Sequence, residues 1–166
     1  MTFGDFATTR VEGAADGQGA AGAFSLVYLV FNTIMNLTTQ DAQVDCFRNA
    51  AAHLEPGGRF LVEVGVPELR RLPPGQHAVP FHVGETRWGV DTYDVATQAM
   101  TSHHVQVVDG RGTYRALPFR YVWPAELDLM ARLAGLRLCE RWEDWTREPF
   151  TNESRRHVSV WRKPAD

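Results

Sequence analysis

Cysteine is scarce here: two in 166 residues, Cys46 and Cys139, far apart and without metal-ligand spacing. That scarcity excludes a disulfide scaffold and a cysteine metal centre. Both thiols read as small hydrophobes, which suits a reducing cytoplasm, the expected location. Long apolar runs are lacking as well. None approaches the roughly 20 residues of a membrane helix, and residues 1–5 have neither the basic nor the long apolar region of a signal peptide. A basic excess is also missing, with 17 Lys+Arg against 20 Asp+Glu and a formal net charge of −3. Phosphate backbones bind positive surfaces, so nucleic acid is not an expected partner. What remains is a 166-residue chain, 44% hydrophobic, enough for one domain with its own core.

The most informative stretch is 24–66. Residues 24–31 (FSLVYLVF) and 59–66 (RFLVEVGV) are apolar runs of strand length, and the segment between them has helical spacing. Strand, helix and strand predict a right-handed crossover in a parallel sheet covered on both faces. Such sheets bind ligands beyond the carboxyl ends of their strands, here near Phe31 and Asn32 and near 63–67. Over 39–54, Thr38 with Asp41 predicts a capping box. Val44, Phe47, Ala51 and Leu54 form the expected buried face, while Gln40, Asp45, Arg48 and Asn49 point elsewhere. Pro56-Gly57-Gly58 is expected to separate helix from strand.

Upstream, 11–23 is rich in Gly and Ala and reads as a flexible loop. Its Gly17-Gln-Gly-Ala-Ala-Gly22 matches G-x-G-x-x-G, but it follows a loop and enters a strand. The dinucleotide motif requires the opposite order. Downstream, 67–80 is a connector, and 81–121 shows β-formers in alternation with a hairpin signal at Asp109-Gly110. This is expected to be an antiparallel insertion, over 79–121, within a single domain of 1–166. Its aromatics, Trp88, Tyr93, Tyr114, Phe119 and Tyr121, are expected in a core or at a dimer contact. Pro124 starts a predicted helix with an apolar stripe of Leu127, Met130, Ala131 and Ala134. Strands at 136–142 and 157–161 close the chain.

Taken together, 24–37 (FSLVYLVFNTIMNL), 53–63 (HLEPGGRFLVE) and 121–127 (YVWPAEL) with the helix and strands after it resemble the second half of a class I S-adenosylmethionine-dependent methyltransferase. The resemblance covers most of 24–163. It implies an α/β fold: a partial Rossmann-like methyltransferase sheet, parallel strands plus a closing antiparallel pair, with an antiparallel β insertion. Gly4-Asp5-Phe6 resembles the family motif whose acidic side chain accepts from the adenine amino group. The family's glycine-rich turn and its ribose-binding acid would precede Met1, so the resemblance implies a chain starting inside the domain.

By this resemblance the function is S-adenosylmethionine-dependent methyl transfer to a small molecule. The alternative is an inactive remnant that works through self-association or partner binding. The implied cofactor is S-adenosylmethionine. Its expected contacts are Asp5 and Phe6 at the adenine, and Val30, Phe31 and Asn32 at the methionine part. Glu63, Asp91, Tyr93 and His103 are candidates for contact with substrate. No metal site is expected, since adjacent His103 and His104 point to opposite faces of a strand. Without a neighbour, 24–31 becomes an open sheet edge. A homodimer through that edge, or through the insertion, is the expected assembly.

Overall fold

The computed structural model describes residues 4–11, 22 and 24–165. Apart from Gly22, the Gly17–Gly22 pattern and the loop expected at 11–23 beyond Val11 lie outside the described residues. The chain divides into two compact units, Met1–Val66 with Trp123–Asp166, and Pro67–Val122.

In the first unit, strand β1 (Phe24–Leu29) is followed by a short 3₁₀ turn at Thr33–Asn36, helix α1 (Gln40–His53) and strand β2 (Leu54–Gly65). Helix α2 (Pro124–Leu133) and strands β7 (Arg137–Trp142) and β8 (Arg156–Arg162) complete it. The sheet order is β1-β2-β8-β7. β1 and β2 run parallel, while β8 is antiparallel to β2 and to β7. This is the mixed sheet with a closing antiparallel pair. The core lies on its helical face. Phe47 of α1 meets Phe60 edge-on at 4.9 Å and Trp161 at 5.3 Å, and all three are fully buried. Such aromatic pairs add about 0.5–1.5 kcal/mol beyond their buried area. α2 is tied to the same face by a polar chain. Asp128 accepts from Trp161 Nε1 (3.0 Å) and pairs with Arg141 (2.7 Å), and Arg141 Nε donates to Ser159 (2.7 Å).

Several local expectations change. The cap of α1 is Thr39, not Thr38. Thr39 is the residue with extended backbone, and its hydroxyl accepts from Ala42 N at 3.2 Å. Asn49 does not face solvent: it is 7% exposed, and Gln43, Cys46, Ala50 and His53 are buried with it. Val44 is only half-buried. Pro56-Gly57-Gly58 lies within β2 rather than before it. The ladder steps from Phe24 to Leu26 on β1 while β2 steps from Leu54 to Arg59, so the Pro-Gly-Gly run forms a bulge. Nor, among the described residues, is β1 covered on both faces. It is an edge strand, with Leu26 49% and Tyr28 61% exposed.

The second unit is an antiparallel meander in the order β3-β4-β5-β6. Its strands are β3 (Ala78–Val83), β4 (Arg87–Tyr93), β5 (Ala99–Val108) and β6 (Arg111–Arg120). The β5–β6 turn is Asp109-Gly110, with φ of 50° and 73°. Positive φ at both positions marks the primed hairpin turn that the sequence signals. Tyr93 and Tyr121 are buried against each other edge-on at 5.6 Å, whereas Tyr114 is 62% exposed.

Candidate functional site

At the carboxyl end of β1 the chain turns abruptly. Phe31 (φ 57°) and Asn32 (φ 60°) both occupy the left-handed region. Asn tolerates this conformation; for Phe it is strained. The turn is held from β2. Phe31 N donates to the Glu63 carboxylate (3.1 Å), Asn32 N to the Glu63 carbonyl (3.2 Å), and Gly65 N to Asn32 Oδ1 (2.7 Å). Thr33 Oγ1 closes the turn onto the Val30 carbonyl at 2.6 Å. The Phe31 ring is left 86% exposed. Backbone strain of this kind collects where a surface is shaped for a ligand. Glu63 thus uses its side chain to fix the turn.

Asp5 and Phe6 sit elsewhere in the first unit, on a segment laid along α1. Asp5 caps its own turn, accepting from Ala7 N (2.8 Å) by side chain and from Thr9 N (2.7 Å) by carbonyl. Asn49 Nδ2 donates to the carbonyls of Phe6 (2.9 Å) and Thr9 (3.0 Å). His53 Nε2 accepts from Val11 N (3.0 Å), which puts the ring proton on Nδ1, where it reaches the Asn49 carbonyl (2.8 Å). Between this segment, α1 and β1 lies a cavity of about 380 Å³ lined by Asp5, Phe6, Phe24, Tyr28, Cys46 and Asn49 among others. Burial, with the Asp5 charge adding to it, pushes the Cys46 thiol up to about 12, so it is an inert wall. Asn49 Oδ1 is buried without a hydrogen-bond partner among the described residues. The expected cofactor residues therefore form two groups: Asp5 and Phe6 line the cavity, while Val30, Phe31 and Asn32 do not. Asn49 and His53 were missed by sequence reasoning. The available signal was two polar residues at i and i+4 on the face of Cys46 and Ala50.

In the second unit, strand pairing sorts the remaining candidates. Asp91 opposes Ser102 and Tyr93 opposes Met100, which puts Asp91 and Tyr93 on one face; His103 opposes Val90 on the other. His103 has both ring nitrogens engaged, Nδ1 with Tyr114 Oη (2.6 Å) and Nε2 with Thr92 Oγ1 (3.1 Å). The histidine that shares a face with Asp91 is His104, whose Nε2 meets Ser102 Oγ at 3.1 Å. Burial raises the Asp91 carboxyl above its ordinary value, opposed by the Ser102 hydrogen bond and the nearby histidines. Burial, then the Asp91 charge, pushes Tyr93 up to about 12. Among the described residues no group of three or more His, Cys, Asp or Glu is arranged to hold a metal.

No family model matches the chain. The cypemycin N-terminal methyltransferase of a Streptomyces species is 30% identical over 142 residues, covering 82% of this chain and 57% of the relative. The CcbJ methyltransferase structure from Streptomyces caelestis superposes with a TM-score of 0.74 at 39% identity, over 84% of this chain and 60% of that one. CalS10, an amino pentose methyltransferase from Micromonospora echinaspora solved with S-adenosylmethionine bound, shares the fold at a TM-score of 0.66 and 18% identity, over 96% of this chain and 63% of that one. The chain thus spans about three fifths of the length of these relatives.

Proposed function

The chain belongs to the class I S-adenosylmethionine-dependent methyltransferases, and from that membership we propose that it serves methyl transfer from S-adenosylmethionine to an amine on a small molecule or peptide. The acceptor class follows the 30%-identical relative, which is named an N-terminal methyltransferase. The observation that carries the reading is the strained Phe31-Asn32 turn, locked by Glu63 and Gly65 at the carboxyl end of β1. That is where open α/β sheets bind ligands.

The residues present fit the cofactor. An apolar cavity lined by Asp5, Phe6 and Asn49, whose buried Oδ1 has no hydrogen-bond partner among the described residues, suits an aromatic base carrying an exocyclic amino donor. When bound, S-adenosylmethionine supplies the sulfonium methyl that a neutral amine attacks. The exposed Phe31 ring offers an apolar surface that excludes water, and Asn32 fixes the backbone beneath it. With both nitrogens bonded, His103 has no free lone pair to act as a base.

Thermal melting with S-adenosylhomocysteine tests this reading. A ligand at 100 times its Kd adds about 2.7 kcal/mol, a rise in midpoint of about 5–10 °C for a chain of this size. Asn32→Ala is expected to shrink the rise and Asn49→Leu to remove most of it. An unchanged midpoint across the titration would refute the proposal. It would favour a second reading, in which the chain works by self-association. The exposed β1 edge, with Leu26 and Tyr28 open, supports that reading.

A further inference from the structure

We propose that the second unit carries an oxyanion-binding site, for a carboxylate or phosphate group, on the face of its sheet that presents Arg87, His104 and Arg115. Strand register builds this face. Arg87, Gln106 and Thr113 form one cross-strand row, and Gly89, His104 and Arg115 form the next. These side chains, with Leu117, line a cavity of about 370 Å³. Arg87 and Arg115 flank β5 from opposite sides. They are about 10 Å apart across the strands and about 7 Å along them, so two long side chains can close over a ligand seated on His104 and Gln106.

The surroundings are built to hold a shape. Phe81 lies across Gly89: a Cβ on Gly89 would fall 2.2 Å from the Phe81 ring, so only glycine lets the ring occupy that place. The same ring packs edge-on against His104 at 5.3 Å. Behind His104 stands Ser102, whose hydroxyl meets His104 Nε2 at 3.1 Å. That contact occupies Nε2, and Nδ1 has no hydrogen-bond partner among the described residues.

Charge decides what the face takes. Among the described residues neither Arg87 nor Arg115 has an ion-pair partner, and Asp91, one row beyond His104 on the same face, has its Oδ1 buried without a hydrogen-bond partner. Arg111, opposite Val108, adds a third guanidinium at the end of the same face. In a chain of net charge −3, this concentration of unpaired cations is local. Guanidinium groups present planar forks of N–H donors that match carboxylate and phosphate oxygens.

The test is calorimetric titration of the full chain with inorganic phosphate and, separately, with succinate, at fixed chloride. Saturable binding of one probe is expected, weakened about tenfold by Arg87→Ala or Arg115→Ala and lost in the double variant. Arg132→Ala on α2 serves as the unaffected control. Preference for phosphate identifies a phosphorylated ligand, and preference for succinate a carboxylate. Arg115→Lys, which keeps the charge and loses the fork, should recover only part of the affinity. The proposal is overturned if neither probe saturates, or if the double variant, melting normally without anion, binds as the parent does.

Discussion

At Phe31 the backbone holds a left-handed φ of 57° while the ring stays 86% exposed, so the chain bears the strain without burying the side chain in return. Left-handed geometry costs an ordinary residue about 1–2 kcal/mol, and Asn bears it more easily. Phe31→Asn is therefore expected to stabilise the protein by about 0.5–1 kcal/mol in urea unfolding, while reducing the melting shift given by S-adenosylhomocysteine. Stabilisation without loss of that shift would show that the Phe31 ring has no part in binding. The sequence placed Phe31 and Asn32 at the end of a strand, but nothing local announced their conformation. It is imposed by the Glu63 carboxylate and the Gly65 amide on the next strand. Asn49 and His53 were hidden for a related reason. Polar residues on a helix read as solvent-facing until another segment, here residues 4–11, supplies partners that make their burial tolerable.

At the scale of elements, the edge strand β1 exposes Leu26 and Tyr28, with one side of its backbone ladder unpaired among the described residues. Such an edge recruits another strand. If copies of this chain associate there, Leu26→Lys with Tyr28→Lys is expected to lower the sedimentation coefficient to that of a monomer and leave the melting midpoint nearly unchanged. Both side chains are already largely in water, so little burial is lost. Association that persists in the double variant would move the contact away from β1. The strands, the helices and the Asp109-Gly110 hairpin were legible because period and turn chemistry are local properties. The bulge at Pro56-Gly57-Gly58 was not, since a bulge exists only relative to a partner strand, here β1.

At the scale of the whole molecule, His157 couples folding to pH. Burial, with the Arg141 charge reinforcing it and Asp128 opposing it, pushes this imidazole down from 6.5 to about 4. Below pH 6.5 the unfolded chain takes up a proton that the folded one refuses. The contribution to stability is therefore flat above that pH and falls as pH drops towards 4. The slope is up to about 1.4 kcal/mol per pH unit, for a total of at most about 3 kcal/mol. Denaturation curves of the parent and His157→Gln across this window should converge as pH falls; a constant difference would disprove the coupling. The α/β class, the order of strands and helices, the antiparallel segment and the methyltransferase resemblance were all legible along the chain, because they follow from hydrophobic period, turn residues and short motifs. Tertiary structure alone decided that Glu63 clamps the strained turn, that Asn49 and His53 face inward, and that His104 rather than His103 shares a face with Asp91. Each of these depends on which residue stands opposite which across a strand or helix surface, and a one-residue change of register would reverse the face of every side chain.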